Sequence, residues 1–222
     1  MNKFLTDKVN NLAASATLAM AAKARELRSK GVDVIGLSLG EPDFNIPEFI
    51  KEAAVKAIND NYNSYTPVDG YVDLKKAISR KFSRDNNLNY SASQIVVSTG
   101  AKQSIANVIE AMISPGDEVI LLAPFWVSYS AMIEICGGIP VIIKSDITSN
   151  FKVTASKIKD NITSKTKMII VNSPNNPSGS VYNENELRQI GKMLMDYPKI
   201  FVLSDEILSL IHISEPTRHS DI

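Results

Sequence analysis

Cysteine is almost missing from this chain. Cys136 stands alone among 222 residues, which excludes an internal disulfide framework and fits a reducing compartment. It lies beside Gly137 and Gly138 at the end of an apolar helical stretch, where a buried, inert thiol is expected. An excess of one charge is missing too, since 24 basic side chains face 24 acidic ones. That balance argues against a nucleic-acid binder and against a basic membrane-surface protein. No stretch approaches the ~20 consecutive apolar residues of a membrane-spanning helix. The segment NLAASATLAMAAKA carries small-residue patterns like those of a signal-peptidase site. Asp7, Asn10 and Asn11 sit at or before its start, however, and its core lacks the strong apolar run of a secretory signal. A cytoplasmic protein is expected. No internal repeat and no low-complexity linker interrupts the chain.

What is present is patterned hydrophobicity, enough for a sizeable core. Residues from about Ser15 to Lys30 read as a helix, with Arg25, Arg28 and Lys30 in its last turns and Gly31 as its cap. VDVIGLSLG reads as a short strand, Pro47 opens a helix that runs through Ile58, and VDLKKAISRKF is a further helix. Beyond Ser91 the pattern alternates. QIVVST, EVILLA, GGIPVIIK, KMIIVNS and IFVLSDE are apolar runs separated by helical segments, one of which spaces Ile105, Val108, Ile109, Met112 and Ile113 at a helical period. Continuous apolar runs predict strands buried on both faces. The expected fold class is α/β, a three-layer α/β/α sandwich with a mostly parallel sheet.

Ligands of such sheets bind beyond the carboxyl ends of the strands. The segments there are TGAKQ (Thr99 to Gln103), APFWVSY (Ala123 to Tyr129), NSPNNPSG (Asn172 to Gly179) and SDEI (Ser204 to Ile207). Gly100 marks a strand-to-helix turn whose backbone N–H groups could hold a phosphate; a plain tight turn explains it equally well. The spacing matches neither a P-loop nor a dinucleotide fingerprint. Trp126, the only tryptophan, is read first as core packing. Asn175 and Asn176 lie in a proline-bounded loop where asparagine needs no further explanation. Asp205 is harder to dismiss. A carboxylate directly after IFVL is expected to be partly buried, and burial disfavours its charge unless a cationic partner is supplied. That partner is either a structural arginine or lysine, or a bound cationic ligand.

In order and approximate spacing, LGEPDF, YTPVDG, STGAKQ, PFWVSY, NSPNNPSG and SDEI resemble the motifs of class I aminotransferases of the aspartate aminotransferase family. The likeness covers residues 4 to 207. It implies pyridoxal 5′-phosphate as cofactor, an amino acid and a 2-oxo acid as substrates, a ping-pong mechanism and a homodimer with shared sites. The resemblance casts Asp205 as the partner of the pyridinium nitrogen and Trp126 as the ring stacked on the cofactor. Asn176 would donate to the phenolic oxygen, and Gly100, Ala101 and Lys102 would line the phosphate cup. Tyr65 would reach the neighbouring subunit's phosphate, and Gly40 would touch the substrate α-carboxylate. Ser15, Thr17 and Lys102 resemble residues near the distal carboxylate of a dicarboxylic substrate, which favours aspartate or glutamate; N-capping explains Ser15 and Thr17 as simply. The alternatives are an aromatic-acid or prephenate aminotransferase and a non-catalytic, effector-binding domain of the same fold.

The resemblance also implies a domain division: residues 1–40 as N-terminal arm and small-domain portion, 41–207 as an incomplete cofactor-binding large domain, and 208–222 as a non-native tail. The family's Schiff-base lysine lies well downstream of its SDEI aspartate, and no lysine of this chain is assigned that role. From Leu208 the chain departs from the family pattern, which has a tyrosine there. LSLIHISEPTRHSDI is instead similar to translated sequencing-adapter sequence, in frame to Ile222. His212 and His219 are therefore read as neither catalytic nor metal-binding, and the chain alone is expected to be poorly stable and inactive.

Overall fold

The computed structural model describes residues 4–10, 16–36, 40 and 44–209. The chain separates into two compact units, one formed by 1–13 with 101–222 and the other by 14–100.

The larger unit holds the short helix α1 (Asp7–Asn10) and the sheet. Its strands are β1 (Glu118–Ala123), β2 (Ile139–Lys144), β3 (Thr166–Asn172) and β4 (Phe201–Asp205). They are all parallel and run in the spatial order β2-β1-β3-β4. Alternate side chains of the two inner strands point to opposite faces. Val119 and Leu121 of β1 and Met168 and Ile170 of β3 meet α5 (Ala101–Met112) and α6 (Ser128–Ile135) through Ile105, Ile109, Tyr129 and Ile133. Ile120, Leu122, Ile169 and Val171 turn the other way, onto Ile158 of α7 (Ala155–Lys159) and Ile190 and Leu194 of α8 (Glu184–Leu194). The result is the expected α/β/α sandwich. Its helix placement follows from handedness. The crossover from β1 to β2 runs one way along the sheet and those to β3 and β4 run the other, so right-handed connections set α6 on one face and α7 and α8 on the opposite one.

Burial on both faces holds only for β1 and β3. The outer strands β2 and β4 are mostly uncovered, with Ile142, Phe201 and Val202 about half exposed. Consecutive apolar residues alone do not distinguish an edge strand from an inner one. Cys136, expected to be buried, is only partly so at the C-terminus of α6. There Gly137 takes a positive φ of 79° and the N–H groups of Gly137 and Gly138 close the helix on Glu134 and Ile133.

The smaller unit carries α2 (Ala16–Ser29), α3 (Glu48–Asn59) and α4 (Val72–Asn86). Gly31 ends α2 as expected, with φ 81° and bonds from Gly31 and Val32 back to Arg28 and Leu27. Among the described residues, two expected strands are not seen. Residues 32–36 are irregular, with Ile35 83% exposed, while 37–39 lie outside the described residues. Residues 95–98 of QIVVST form no ladder; the Val97 N–H goes to the Asp69 carbonyl at 3.1 Å, and Val96 is exposed. β-Propensity yields a strand only where a partner strand supplies the ladder.

The loop after β3 is set by the start of α8. Asn183 accepts from the Glu186 N–H at 2.9 Å, Glu186 accepts from the Asn183 N–H at 2.8 Å, and Lys152 pairs with Glu186 at 2.7 Å. Replacing Asn183 by Ala removes this capping box and should cost about 1 kcal/mol. The urea midpoint of unfolding should fall accordingly, with an unchanged slope.

Candidate active site

The parallel sheet brings the carboxyl ends of β1, β3 and β4 to one edge. Chain direction reverses between β1, which leads to β2 on one side, and β3 on the other. Loops that leave such a switch point diverge and open a crevice. APFWVSY follows β1 and NSPNNPSG follows β3, so both loops border it. Asn175 ties them together, donating its amide to the Pro124 carbonyl at 3.1 Å and accepting from the Ser178 N–H and hydroxyl. Asn175 is thus a structural residue, as its turn-forming type suggested. The peptide bonds preceding Pro124, Pro174 and Pro177 are cis.

Asp205 closes β4, is 8% exposed and pairs in register with Asn172 of β3. No lysine or arginine pairs with it among the described residues, so the structural cation offered as one explanation is not found. Its Oδ2 accepts from the Tyr129 hydroxyl at 2.5 Å, and its Oδ1 accepts from the Ile207 N–H at 3.1 Å. Two neutral donors hold a buried carboxylate that has no counter-charge of its own within the described chain. Such a group is costly unless a cation completes it.

Tyr129 and Asn172 are the residues that sequence reasoning missed. Tyr129 is 1% exposed, and burial pushes its hydroxyl far above the ordinary tyrosine range, with the hydrogen bond to Asp205 and its charge adding to the effect. The signal was its spacing, three residues after Trp126 at the start of the helix that follows β1. Asn172 donates to the Asp205 carbonyl at 3.0 Å and accepts the Asn176 N–H at 2.8 Å. It joins the β4 terminus to the Asn176 loop.

Trp126 is half-buried. Its ring meets Tyr129 edge-to-face, with centroids 5.4 Å apart, and packs against the α5 and α6 core. The core-packing reading is met on that side. The exposed Lys102 ammonium stands 5.0 Å from the same ring's centroid, a cation–π distance. Asn176 presents an exposed amide with no hydrogen bond to the described residues. Lys102, Trp126, Tyr129, Asp205, Asn172 and Asn176 therefore form one chain of contacts.

Gly100 takes φ 85°, and a Cβ there would meet nothing within 4 Å. The constraint is backbone conformation rather than space. Its own N–H is spent on the Ser98 carbonyl at 2.8 Å, so Gly100 turns the chain and the first turn of α5, at Ala101 and Lys102, presents the helix N-terminal donors. A separate cleft of about 390 Å³ runs along α5 and the outer side of β4, lined by Ala101, Ile105, Val108, Leu203, Asp205 and Ile207 among others. It touches Asp205 and Ala101 but neither Trp126 nor Asn176. Val108, expected in the core, lines this cleft and is 37% exposed. Tyr65 and Gly40 are exposed and belong to the smaller unit. Ser15 lies outside the described residues, and so does the side chain of Thr17.

A buried carboxylate without a cation, an aromatic face and a helix N-terminus suit a flat, cationic, phosphate-bearing ligand. The model of the family described as aminotransferase class I and II matches residues 32–214. The chain belongs to that family. The probable aspartate/prephenate aminotransferase of Rickettsia felis is 47% identical over 203 residues, covering 91% of this chain and 50% of that protein. The aspartate aminotransferase of Bacillus sp. (strain YM-2) is 44% identical over 207 residues, covering 93% and 53%. Among solved structures, the aspartate aminotransferase from Rhizobium meliloti superimposes with a TM-score of 0.88 at 41% identity, covering 92% of this chain and 51% of that one. That of Thermus thermophilus with maleate gives 0.89 at 39%, covering 93% and 54%. This aminotransferase segment therefore spans about half the length of the curated relatives it matches. Among the described residues no helix is long and apolar enough to cross a membrane, and no cluster of potential metal ligands occurs.

Proposed function

We propose that the protein carrying this segment is a pyridoxal 5′-phosphate-dependent aminotransferase acting on aspartate or glutamate and a 2-oxo acid. The observation that carries the reading is Asp205, buried at the carboxyl end of β4 and held by Tyr129 and the Ile207 N–H with no cation beside it among the described residues. When bound, the cofactor supplies an electron sink for the carbanion at the substrate Cα. Asp205 holds a proton at the ring nitrogen, and Trp126 stacks on the ring. Asn176 donates its unbonded amide to the phenolic oxygen. The turn at Gly100 and the first turn of α5, at Ala101 and Lys102, line the phosphate cup with backbone donors. Tyr65 serves the phosphate of a second copy in a homodimer. Gly40 meets the substrate α-carboxylate through its backbone, and Ser15, Thr17 and Lys102 border the distal carboxylate. No lysine of this chain is assigned to the Schiff base. In this reading residues 41–207 belong to the cofactor-binding domain, 208–222 are foreign to it, and the protein is cytoplasmic.

The names of several relatives favour prephenate as a second amino acceptor. The test is to recover the uninterrupted coding sequence past codon 207, produce the protein and measure initial rates. Aspartate with 2-oxoglutarate, and glutamate with oxaloacetate, should each give parallel double-reciprocal lines, and a visible cofactor absorbance band should respond to aspartate. Faster turnover with prephenate would make that the principal acceptor. Saturable binding without turnover would replace the enzyme reading by the effector-binding one.

A further inference from the structure

Among the described residues of 14–100, only Ala21, Lys75 and Ile95 are buried. That a lysine is one of the three is unexpected, because desolvating an ammonium is costly. Lys75 lies in the first turn of α4 and is 6% exposed. Its ammonium is committed to the carboxylate of Asp69, which is itself about half exposed. That contact holds the Asp69 carboxyl below the usual carboxylate range.

Asp69 is joined to a second segment. Its carbonyl accepts the Val97 N–H at 3.1 Å. The next residue, Gly70, takes φ 97°, and a Cβ there would stand 2.8 Å from the Cβ and Cγ2 of Val97. The backbone at Gly70 and the Val97 side chain thus meet at a distance only glycine permits. The loop preceding Asp69 is pinned at its base, where the Tyr62 and Tyr71 rings meet edge-to-face at 6.3 Å. Tyr65 stands fully exposed within that loop. On the other side, Val97 leads within three residues to the turn at Gly100.

We infer that the Lys75–Asp69 pair, with Gly70 seated on Val97, is a positioning device that fixes the Tyr65 loop to the Val97–Gly100 segment and so sets phosphate binding by both. The inference rests on the cofactor reading above. In a dimer that shares its sites, the two ends of the clamp serve two different phosphates. Lys75 and Asp69 touch no phosphate themselves; they act through Tyr65 and Gly100.

The test uses the full-length protein and two ligands, pyridoxal 5′-phosphate and pyridoxal, which lacks the phosphate. The Asp69→Asn variant should raise the Kd for pyridoxal 5′-phosphate about tenfold, the size of one lost charge-assisted hydrogen bond. The Kd for pyridoxal should stay unchanged. Combined with Tyr65→Phe, Asp69→Asn should add less than its effect alone, because the share that acts through Tyr65 is already lost and only that through Gly100 remains. Lys75→Met should behave in the same way; if it fails to fold, Asp69→Asn carries the test, since its half-exposed carboxylate can be lost without leaving a cavity. Equal weakening for both ligands, additivity with Tyr65→Phe, or no weakening at all overturns the positioning role. A wild-type protein that binds neither ligand, or a Tyr65→Phe variant with unaltered affinity, overturns the cofactor reading on which the inference rests. Those outcomes are distinct from a neutral Asp69→Asn beside a weakened Tyr65→Phe.

Discussion

In the intact protein, Asp205→Asn should reduce kcat/KM for aspartate by roughly a hundred- to a thousandfold, the effect of removing one member of a buried ion pair. The substitution keeps the shape of the side chain. An asparagine carbonyl can still accept either the Tyr129 hydroxyl or the Ile207 N–H that hold Asp205 now, so the fold should survive and unfolding midpoints should change little. What is lost is charge. The ring nitrogen of the cofactor then has no anion to keep its proton, and the ring is a poorer electron sink. Steady-state kinetics beside a urea titration separate the two effects. Turnover within a few-fold of the unmodified protein would show that Asp205 is an ordinary buried carboxylate and would remove the observation on which the functional reading stands.

The fold was legible wherever the chain buries its own pattern. β1 and β3 alternate between two helical layers, and the helical spacing of Ile105 and Ile109 declares which face of α5 covers one side of them. Edges were not legible. IPVIIK and FVLSD look as apolar as EVILLA, yet among the described residues β2 and β4 have a neighbouring strand on one side only. The same limit explains QIVVST, whose residues 95–98 have strand composition and no ladder. Single-residue pattern records propensity, whereas strandedness depends on what lies alongside.

The site was partly legible for a related reason. Strand ends in a parallel sheet converge by topology, so Trp126, Asn176 and Asp205 could be placed together from order alone. Their supporting contacts could not. Asn172 looked like the last residue of a strand and proves to bond both the Asp205 carbonyl and the Asn176 N–H. Tyr129 stood out only as the last residue of the APFWVSY segment. It is the partner that a cation was expected to be, and it satisfies the carboxylate without neutralising it.

That distinction gives the second large expectation. Tyr129→Phe should lower kcat/KM roughly ten- to a hundredfold, since hydrogen bonds to charged groups are worth about 1.5–3 kcal/mol. The loss should be smaller than for Asp205→Asn, because phenylalanine leaves the carboxylate charged and keeps the edge-to-face contact with Trp126. What it removes is orientation, as Oδ2 loses the donor that aims it. The substitution also has an alkaline signature. Burial, then the hydrogen bond and the charge of Asp205, raise the Tyr129 hydroxyl far above its ordinary 10.0. The native state therefore keeps a proton that the unfolded chain releases. This contribution to stability is complete below about pH 10 and is lost progressively as pH rises beyond it. Tyr182 is raised as well, chiefly by burial, and contributes with the same sign. Urea midpoints should fall above about pH 10 in the unmodified protein and fall less steeply in Tyr129→Phe, where only the Tyr182 share of the two remains. An equally steep alkaline fall in the variant would place the Tyr129 hydroxyl in water rather than against Asp205, and the orientation argument would fall with it.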